Sequence, residues 1–385
     1  TFPRVHNQLQ VELISELSLV LRWPGLDPAL KPVLMMAHYD VVPVEGQEWT
    51  KEPFGGAVEG DFIYGRGAVD DKSSVMGLLE AAEVALKNGF KPKRDLYFVF
   101  GHDEEVGGTE GAQVVAEVFK QRGLEFEFIL DEGGIITEGS KLGIPRNVAL
   151  IGIAEKGYSD LELTITGTPG HSSMPPESTT IGRLARAIRK VEGHPFPASL
   201  DGVFSQTLEA LIPHASLFQK WALSNLWLTA PLVESKLAQN PTTNAFIRTA
   251  QSVTMIKGGT KANVLPAEAK ANLNLRLLPG DRAEWAKKRV SRLVAEYPEI
   301  EVRQANPGFV NEASAVSPTR SQGYELISAA IVKLDPSIVP IPYLVLGATD
   351  SRHYRDLSPN IYRFLFASLF ADEVSRLHGI DERIR

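Results

Sequence analysis

Three short apolar runs constrain the fold of this chain more than any other feature. They lie at residues 34–38, 96–100 and 126–130, and helical sequence separates each run from the next. Apolar runs of this length, bounded by turn signals and interspersed with helices, are typical of buried strands in a parallel sheet. The sequence therefore predicts an α/β fold around a mostly parallel sheet.

Acidic residues gather where these runs end. His38 and Asp40 close the first run, whereas the second leads into GHDEE and the third into DEGG. Open α/β sheets bind ligands at the carboxyl ends of their strands. Neighbouring carboxylates disfavour each other's ionisation, and a divalent cation would relieve the repulsion. Histidine and carboxylates without cysteine suit a catalytic zinc, cobalt or manganese site.

Asp70 is a further candidate ligand, in the sequence GRGAVDDK. It stands directly before a helical run that begins near Ser73. The alternative is that Asp70 or Asp71 only caps this helix. The residues alone leave both roles open.

Composition excludes several classes of protein. A formal net charge of −7 and the lack of a basic cluster argue against a nucleic-acid partner. No apolar stretch is long enough to span a bilayer. The absence of cysteine excludes disulfides and thiolate ligands, but it leaves the compartment undetermined.

The pattern changes after Gly157, where strands begin to alternate between apolar and polar residues. The order from 158 to 305 is strand, helix, strand, strand, helix, strand, which is a ferredoxin-like split. The parallel α/β pattern returns from about residue 317. We therefore expect a discontinuous catalytic domain, 1–155 with 308–385, and an inserted lid or dimerisation domain, 156–307.

Residues 200–250 add an apolar, tryptophan-bearing insertion to this lid. We expect two or three amphipathic helices there. An ordinary helical hairpin packed on the core of the lid is favoured slightly over a direct role in substrate binding.

Seven motifs in order resemble the co-catalytic zinc aminoacylases and carboxypeptidases, over nearly the whole chain. They are AHYDVVP, YGRGAVDDK, GHDEEVGG, LDEGG, GHSS, GGTKANVLP and ATDSRHY. The resemblance is strongest to carboxypeptidase S and to enzymes that condense and hydrolyse N-fatty-acyl amino acids. The family also has a helix before the opening strand, for which we find no pattern in this sequence.

The resemblance implies a site with two zinc ions, for which Co²⁺ or Mn²⁺ are substitutes. Asp70 would bridge the ions. His38 and Asp131 would complete one position, and Glu105 and His353 the other.

Two more residues take roles in the chemistry by the same resemblance. Asp40 would hold the second ring nitrogen of His38. Glu104 would be the general base that takes a proton from the attacking water and returns it to the leaving amine. The alternative for Glu104 is a solvent-facing carboxylate beside a ligand.

The lid contributes three candidates. His171 resembles the histidine that family dimers lend to the partner subunit's active site, which implies a homodimer through the lid. Asn263 and Arg276 resemble residues that grip the carboxylate of the substrate. Arg276 also fits the description of an exposed strand arginine.

Together these features predict hydrolysis, or its reverse condensation, of the amide bond in N-acyl amino acids or small peptides with a free carboxylate. One alternative is a dipeptidase or aminopeptidase of the same clan. Another is a non-catalytic binding protein with the same fold, which would need a missing ligand or base.

Overall fold

The computed structural model describes residues 1–142 and 144–385 and divides into two compact units. The first unit comprises Thr1–Ala154, Gln206–Leu217 and Val316–Arg385. The second unit comprises Glu155–Ser205 and Phe218–Ala315.

The strands are numbered in chain order. They are β1 (Gln10–Ile14), β2 (Ser18–Trp23), β3 (Val33–His38), β4 (Ala57–Glu59), β5 (Phe62–Tyr64), β6 (Leu96–Gly101), β7 (Phe128–Asp131), β8 (Ile136–Glu138), β9 (Asn147–Glu155), β10 (Gly157–Thr166), β11 (Gly170–His171), β12 (Ala250–Gly258), β13 (Val264–Leu265), β14 (Glu268–Leu277), β15 (Ile300–Gln304), β16 (Val339–Val345), β17 (Ile361–Arg363) and β18 (Arg383–Ile384).

The α-helices follow the same numbering. They are α1 (Pro3–Gln8), α2 (Lys72–Lys87), α3 (Ala112–Gln121), α4 (Thr180–Glu192), α5 (Val203–Leu211), α6 (Leu217–Ser224), α7 (Leu226–Leu237), α8 (Pro241–Ile247), α9 (Ala283–Leu293), α10 (Gln322–Leu334) and α11 (Ala371–Val374). None of the helices within residues 1–142 and 144–385 has the length and apolar character needed to cross a bilayer.

The first unit is built on a sheet with the strand order β1-β2-β6-β3-β7-β17-β9-β16. The four neighbours β6, β3, β7 and β17 run parallel. In β6, Tyr97 and Val99 pack in a core cluster with α3, whereas Phe98 and Phe100 join one that includes α1 and Ala82 of α2. Because alternate strand residues face opposite sides of a sheet, both faces are covered. The predicted α/β fold with a mostly parallel sheet is confirmed.

The beginning of the chain differs from the sequence pattern in two ways. Residues 10–23 read as one strand, but they form the antiparallel hairpin β1–β2. Ser15 and Glu16 turn the chain with φ angles of 52° and 65°. The six-residue helix α1 precedes this hairpin, although no pattern for it was found, and Arg4 pairs there with Glu83 of α2.

The second unit contains a four-stranded antiparallel sheet with the order β12-β14-β10-β15. The chain order β10, α4, β12, β14, α9, β15 gives this sheet a ferredoxin-like topology. Apolar residues of α4 and α9 pack against the sheet in one continuous core. Thr179 accepts the hydrogen bond of the Gly182 N–H and begins α4.

The apolar insertion contains four α-helices, α5–α8, rather than two or three. Gln206–Leu217 belongs to the first unit, not to the core of the lid. In the first unit, Leu211 packs with Val148 and Ile341, and the hydroxyl of Thr207 donates to the carbonyl of Pro342 at 2.7 Å. A hairpin packed entirely on the lid is therefore wrong for this part of the insertion.

Candidate metal centre

Strands β3, β6 and β7 bring the candidate side chains to one edge of the sheet in the first unit. His38 is the last residue of β3, Glu104 and Glu105 begin a 3-10 helix just after β6, and Glu132 follows β7. Parallel strands end at the same edge, so residues far apart in sequence meet there.

The first group of candidate ligands is His38, Asp70 and Glu132. His38 Nε2 lies 3.0 Å from Asp70 Oδ1 and 3.5 Å from Glu132 Oε1. His38 is 1% exposed and buried, whereas Asp70 and Glu132 are half-buried.

The second group is Asp70, Glu105 and His378. His378 Nε2 lies 3.0 Å from Asp70 Oδ2 and 3.4 Å from Glu105 Oε1. Asp70 therefore turns one carboxylate oxygen towards each histidine. This is the arrangement expected of a carboxylate shared by two metal positions.

Asp40 connects the two groups. Its Oδ1 lies 3.2 Å from His38 Nδ1, and its Oδ2 accepts the backbone N–H of Glu105 at 3.0 Å. A carboxylate on the second ring nitrogen fixes the orientation of the imidazole and leaves Nε2 facing the centre.

The carboxylates of these two groups favour a positive charge between them. Burial lowers the pKa of His38, but the surrounding carboxylates outweigh it and the net pKa is raised. Burial, followed by the charge of Asp70, raises the pKa of Glu132 to about 7. The hydrogen bond to Asp70, followed by the nearby carboxylate of Glu105, raises the pKa of His378 to about 10.

The residues fit a bound cation. Glu105 Oε1 is buried and accepts no hydrogen bond within the described part of the chain, although a carboxylate oxygen in such a place needs a partner. Histidine nitrogens and carboxylate oxygens are the donors that divalent transition metals prefer. A cation here would satisfy Glu105 and would replace the protons that the carboxylates otherwise hold on the histidines.

Glu104 adjoins Glu105 of the second group but belongs to neither group of candidate ligands. Burial, together with the charges of Glu132 and Asp350, raises its pKa to about 10. The expected alternative, a carboxylate facing solvent, does not fit this environment. A nearby cation would oppose the same repulsion and lower this pKa again.

Asp131 does not join the centre, which corrects its expected role as a ligand. It is the last residue of β7, and its Oδ2 accepts the backbone N–H of Ser351 at 2.8 Å. Successive strand residues point to opposite sides. The next residue, Glu132, is the one that faces His38 and Asp70.

The expected role of His353 as a metal ligand is corrected as well. It lies on a short 3-10 helix, Asp350–Tyr354, and its Nε2 is 3.0 Å from the carbonyl oxygen of Gly107. Among the described residues, His353 belongs to neither group of candidate ligands. His378 occupies the position expected of His353.

Asp71, rather than Asp70, stands at the N-terminus of α2, and neither side chain caps the helix there. The carboxylate of Asp71 accepts the backbone N–H of His38 at 3.3 Å and the hydroxyl of Ser74. The structure thus favours a site role for Asp70 over the capping alternative.

The three candidates from the lid lie in the second unit. His171 in β11 pairs with β13, and the carbonyl of Asn263 accepts the Ser172 N–H at 3.1 Å, so His171 and Asn263 share one small ribbon. Arg276 lies in β14 with its guanidinium 4.8 Å from the ring centre of Tyr158. It is half-buried and stacked, not a freely exposed strand arginine.

Comparison with known proteins decides the family. The profile described as Peptidase family M20/M25/M40 matches residues 34–385. The chain belongs to this family.

Two relatives of this M20/M25/M40 peptidase align over its whole length. The "Probable carboxypeptidase S-like 2" of Dictyostelium discoideum is 40% identical, and the chain covers 74% of it. The "N-fatty-acyl-amino acid synthase/hydrolase PM20D1" of Mus musculus is 37% identical, and the chain covers 76% of it.

A solved structure supports the fold of this M20/M25/M40 peptidase. An M20 family metallo-carboxypeptidase from Sulfolobus solfataricus, Sso-CP2, matches with a TM-score of 0.64 at 19% identity over 98% of this chain and 85% of its own. The predicted resemblance to carboxypeptidase S-like enzymes is confirmed, and the chain is a hydrolase of the metallopeptidase type.

Sequence reasoning missed two members of the centre of this M20/M25/M40 peptidase, Glu132 and His378. Glu132 was within the DEGG motif, where either acidic residue satisfied the pattern. His378 lies in a Gly- and Asp-containing segment, HGIDE, which does not follow an apolar run. A histidine beside glycine and carboxylates was the available signal.

Proposed function

We propose that this chain hydrolyses the amide bond of N-acyl amino acids or small peptides that carry a free C-terminal carboxylate, with two zinc ions. The observation that carries the proposal is the carboxylate of Asp70, which faces His38 and His378 at 3.0 Å on either side. The same centre can also catalyse the reverse reaction, the condensation of an acyl group with an amino acid.

In this proposal His38, Asp70 and Glu132 hold one ion, and Asp70, Glu105 and His378 hold the other. Three carboxylates offset most of the charge of two divalent cations. Zinc fits a set of histidines and carboxylates without thiolates, and Co²⁺ or Mn²⁺ would substitute. When bound, such metals lower the pKa of water towards about 7 and polarise the carbonyl group of a substrate.

Glu104 acts as the general base. It begins the 3-10 helix after β6, adjoins Glu105 and is half-buried, so its carboxylate is held beside the centre without being a ligand. It accepts a proton from the attacking water and returns this proton to the leaving nitrogen. Asp40 keeps His38 and the backbone of Glu105 in place for this step.

His171 supplies a hydrogen bond to the oxyanion that forms on the substrate. The Ser173 N–H donates to His171 Nδ1 at 3.1 Å. A neutral imidazole that accepts at Nδ1 carries its proton on Nε2. The exposed Nε2–H is therefore ready to donate to a developing negative charge.

Asn263 and Arg276 bind the free carboxylate of the substrate. Arg276 stacks on Tyr158 through the face of its guanidinium, which leaves the N–H edge for two parallel hydrogen bonds. An aminopeptidase would instead need an acidic group for the substrate amine. This arginine is the feature that favours the carboxylate-dependent reaction.

The lid also supports a homodimer. Strand β12 is an edge strand of the four-stranded sheet and carries the exposed residues Met255 and Ile256. Edge strands present unpaired backbone groups on which a second chain can pair. In the dimer, each subunit would lend His171 to its partner.

The test is a substrate panel on protein that has been stripped with a chelator and reloaded with zinc. N-acyl amino acids and dipeptides should be cleaved, and the matching N-acyl amino acid amides, which lack the carboxylate, should not. Full activity in protein shown to be metal-free by elemental analysis would contradict the proposal. Cleavage of dipeptides but not of N-acyl amino acids, which lack a free amine, would favour the aminopeptidase alternative.

A further inference from the structure

A buried ion pair lies beside the metal centre, and the proposed reaction does not use it. Arg66 Nη1 donates to Glu382 Oε2 at 2.6 Å, and both side chains are 1% exposed. Buried ion pairs can often be replaced by apolar residues without loss of stability. Stability alone is therefore a weak reason for this pair.

The other oxygen of Glu382 holds the backbone that presents Asp70. Glu382 Oε1 accepts the N–H of Val69 at 2.9 Å and the N–H of Asp70 at 3.2 Å. The carboxylate of Asp70 faces both histidines of the centre, so a small rotation of this backbone moves both of its oxygens.

The same pair holds the segment that presents His378. His378 has a φ of 58°, in the left-handed region that residues with a side chain rarely adopt. Arg66 Nη2 and Gln47 Nε2 both donate to its carbonyl oxygen at 3.1 Å. Four residues later, the carbonyl of Glu382 accepts the N–H of Gly65 at 2.9 Å, and β18 pairs with β5.

We propose that Glu382 and Arg66 are positioning residues that set the separation of Asp70 and His378, and so the affinity of the metal position formed by Asp70, Glu105 and His378. This inference rests on the proposed function, because it presupposes two metal positions. Arg66 and Glu382 do not contact the side chain of either ligand, Asp70 or His378. They hold the main chain of both.

The chain offers a matched control in Glu83. Its Oε2 accepts the N–H of Arg4 at 2.9 Å and of Val5 at 3.0 Å, and its Oε1 accepts the Arg4 guanidinium at 3.0 Å. Glu83 thus makes the same set of bonds as Glu382, in the same unit, but it joins α1 to α2 and not the metal ligands.

The experiment titrates Zn²⁺ and Co²⁺ into chelator-treated full-length protein, with a competing chelator of known affinity and with the visible spectrum of Co²⁺ as a second signal. The wild type should bind two ions. In Glu382→Gln the affinity for the ion at Asp70, Glu105 and His378 should fall about 10- to 100-fold, as for other residues that orient metal ligands. The other ion should lose much less affinity, because only one of its ligands, Asp70, is held by the pair. In Glu83→Gln both ions should bind as in the wild type.

Urea unfolding of the metal-free proteins separates positioning from stability. Unchanged affinity for both ions in Glu382→Gln would overturn the inference. So would a parallel weakening of both ions that follows the loss of stability. Should Glu382→Gln fail to fold, Arg66→Lys retains the charge but loses the fork that reaches both Glu382 and His378, and the same selective loss is expected. A wild type that binds no metal would contradict the proposed function itself.

Discussion

Glu104 and Glu105 are neighbours in sequence but take different roles in the proposed site. Glu105 faces His378 with an oxygen that lacks a hydrogen bond among the described residues, whereas Glu104 is in neither ligand group. Glu104→Gln should therefore keep both metals and lower kcat by roughly a hundred- to ten-thousand-fold, since general-base catalysis is typically of that size. Metal analysis and steady-state kinetics measure the two effects. Glu105→Gln is the control and should lose metal; loss of metal from Glu104→Gln would make Glu104 a ligand.

The two histidines near the centre give a second prediction. His378→Ala should bind one metal ion instead of two, because it removes the only histidine of the second group. His353→Ala should keep both, because its Nε2 is directed to the carbonyl of Gly107. Metal content after gel filtration decides between them, and the opposite pattern would restore His353 as the ligand.

At this scale the sequence predicts the types of residue that form the metal site better than it predicts the individual residues. His38, Asp70 and Glu105 were expected as ligands, and the structure brings all three into the two groups. Asp131 and Glu132 are adjacent and both acidic, so their residue type does not distinguish them. Only the direction in which each side chain points at the end of β7 does. His378 depends on a left-handed backbone and on bonds from Arg66 and Gln47, over 300 residues away in sequence. Neither property leaves a local pattern.

Helices α6 and α7 expose an unusual amount of apolar surface for short helices. Trp221 is 53% and Trp227 is 83% exposed. We predict that this surface favours long acyl chains, because each CH₂ removed from water contributes about 0.8 kcal/mol. The value of kcat/KM should rise several-fold for every few methylenes from N-acetyl to medium-chain N-acyl amino acids.

The variants Trp221→Ala and Trp227→Ala should reduce this dependence on chain length. Trp285→Ala is the control, because Trp285 packs on Phe196 within the second unit and should change stability instead. Kinetics on an acetyl-to-decanoyl series measure the effect. A flat series in the wild type would indicate ordinary dipeptide substrates and a purely structural role for these helices.

Elements with a strong period and a clear boundary could be predicted from the sequence. The order expected for residues 158–305 (strand, helix, strand, strand, helix, strand) is found as β10, α4, β12, β14, α9 and β15. The hairpin β1–β2 was missed because its turn uses Ser15 and Glu16 at positive φ, where glycine, asparagine or aspartate is usual. The number of helices in the insertion was underestimated, because apolar residues on exposed helical faces give the same sequence pattern as residues of a buried core.

The proposed dimer makes a prediction for the molecule as a whole. If His171 acts in the partner subunit, both His171→Ala and Glu104→Gln should be nearly inactive alone. Mixed dimers should regain part of the activity, because one of their two sites then combines an intact Glu104 with an intact His171. Activity after subunit exchange, confirmed with two affinity tags, measures this. Persistent inactivity in confirmed mixed dimers would place the whole site in one chain.

The position of His378 in the chain has a consequence for the synthesis of the protein. The other proposed ligands lie within the first 132 residues, and the entire second unit is encoded before His378. Translation at about 5–20 residues per second needs roughly 10–50 seconds to cover the stretch from Glu132 to His378. Throughout that interval the nascent chain holds all three ligands of one proposed metal position and two of the three ligands of the other. On the proposed mechanism, a chain that ends before His378 lacks a ligand of the second metal position and should not hydrolyse substrate.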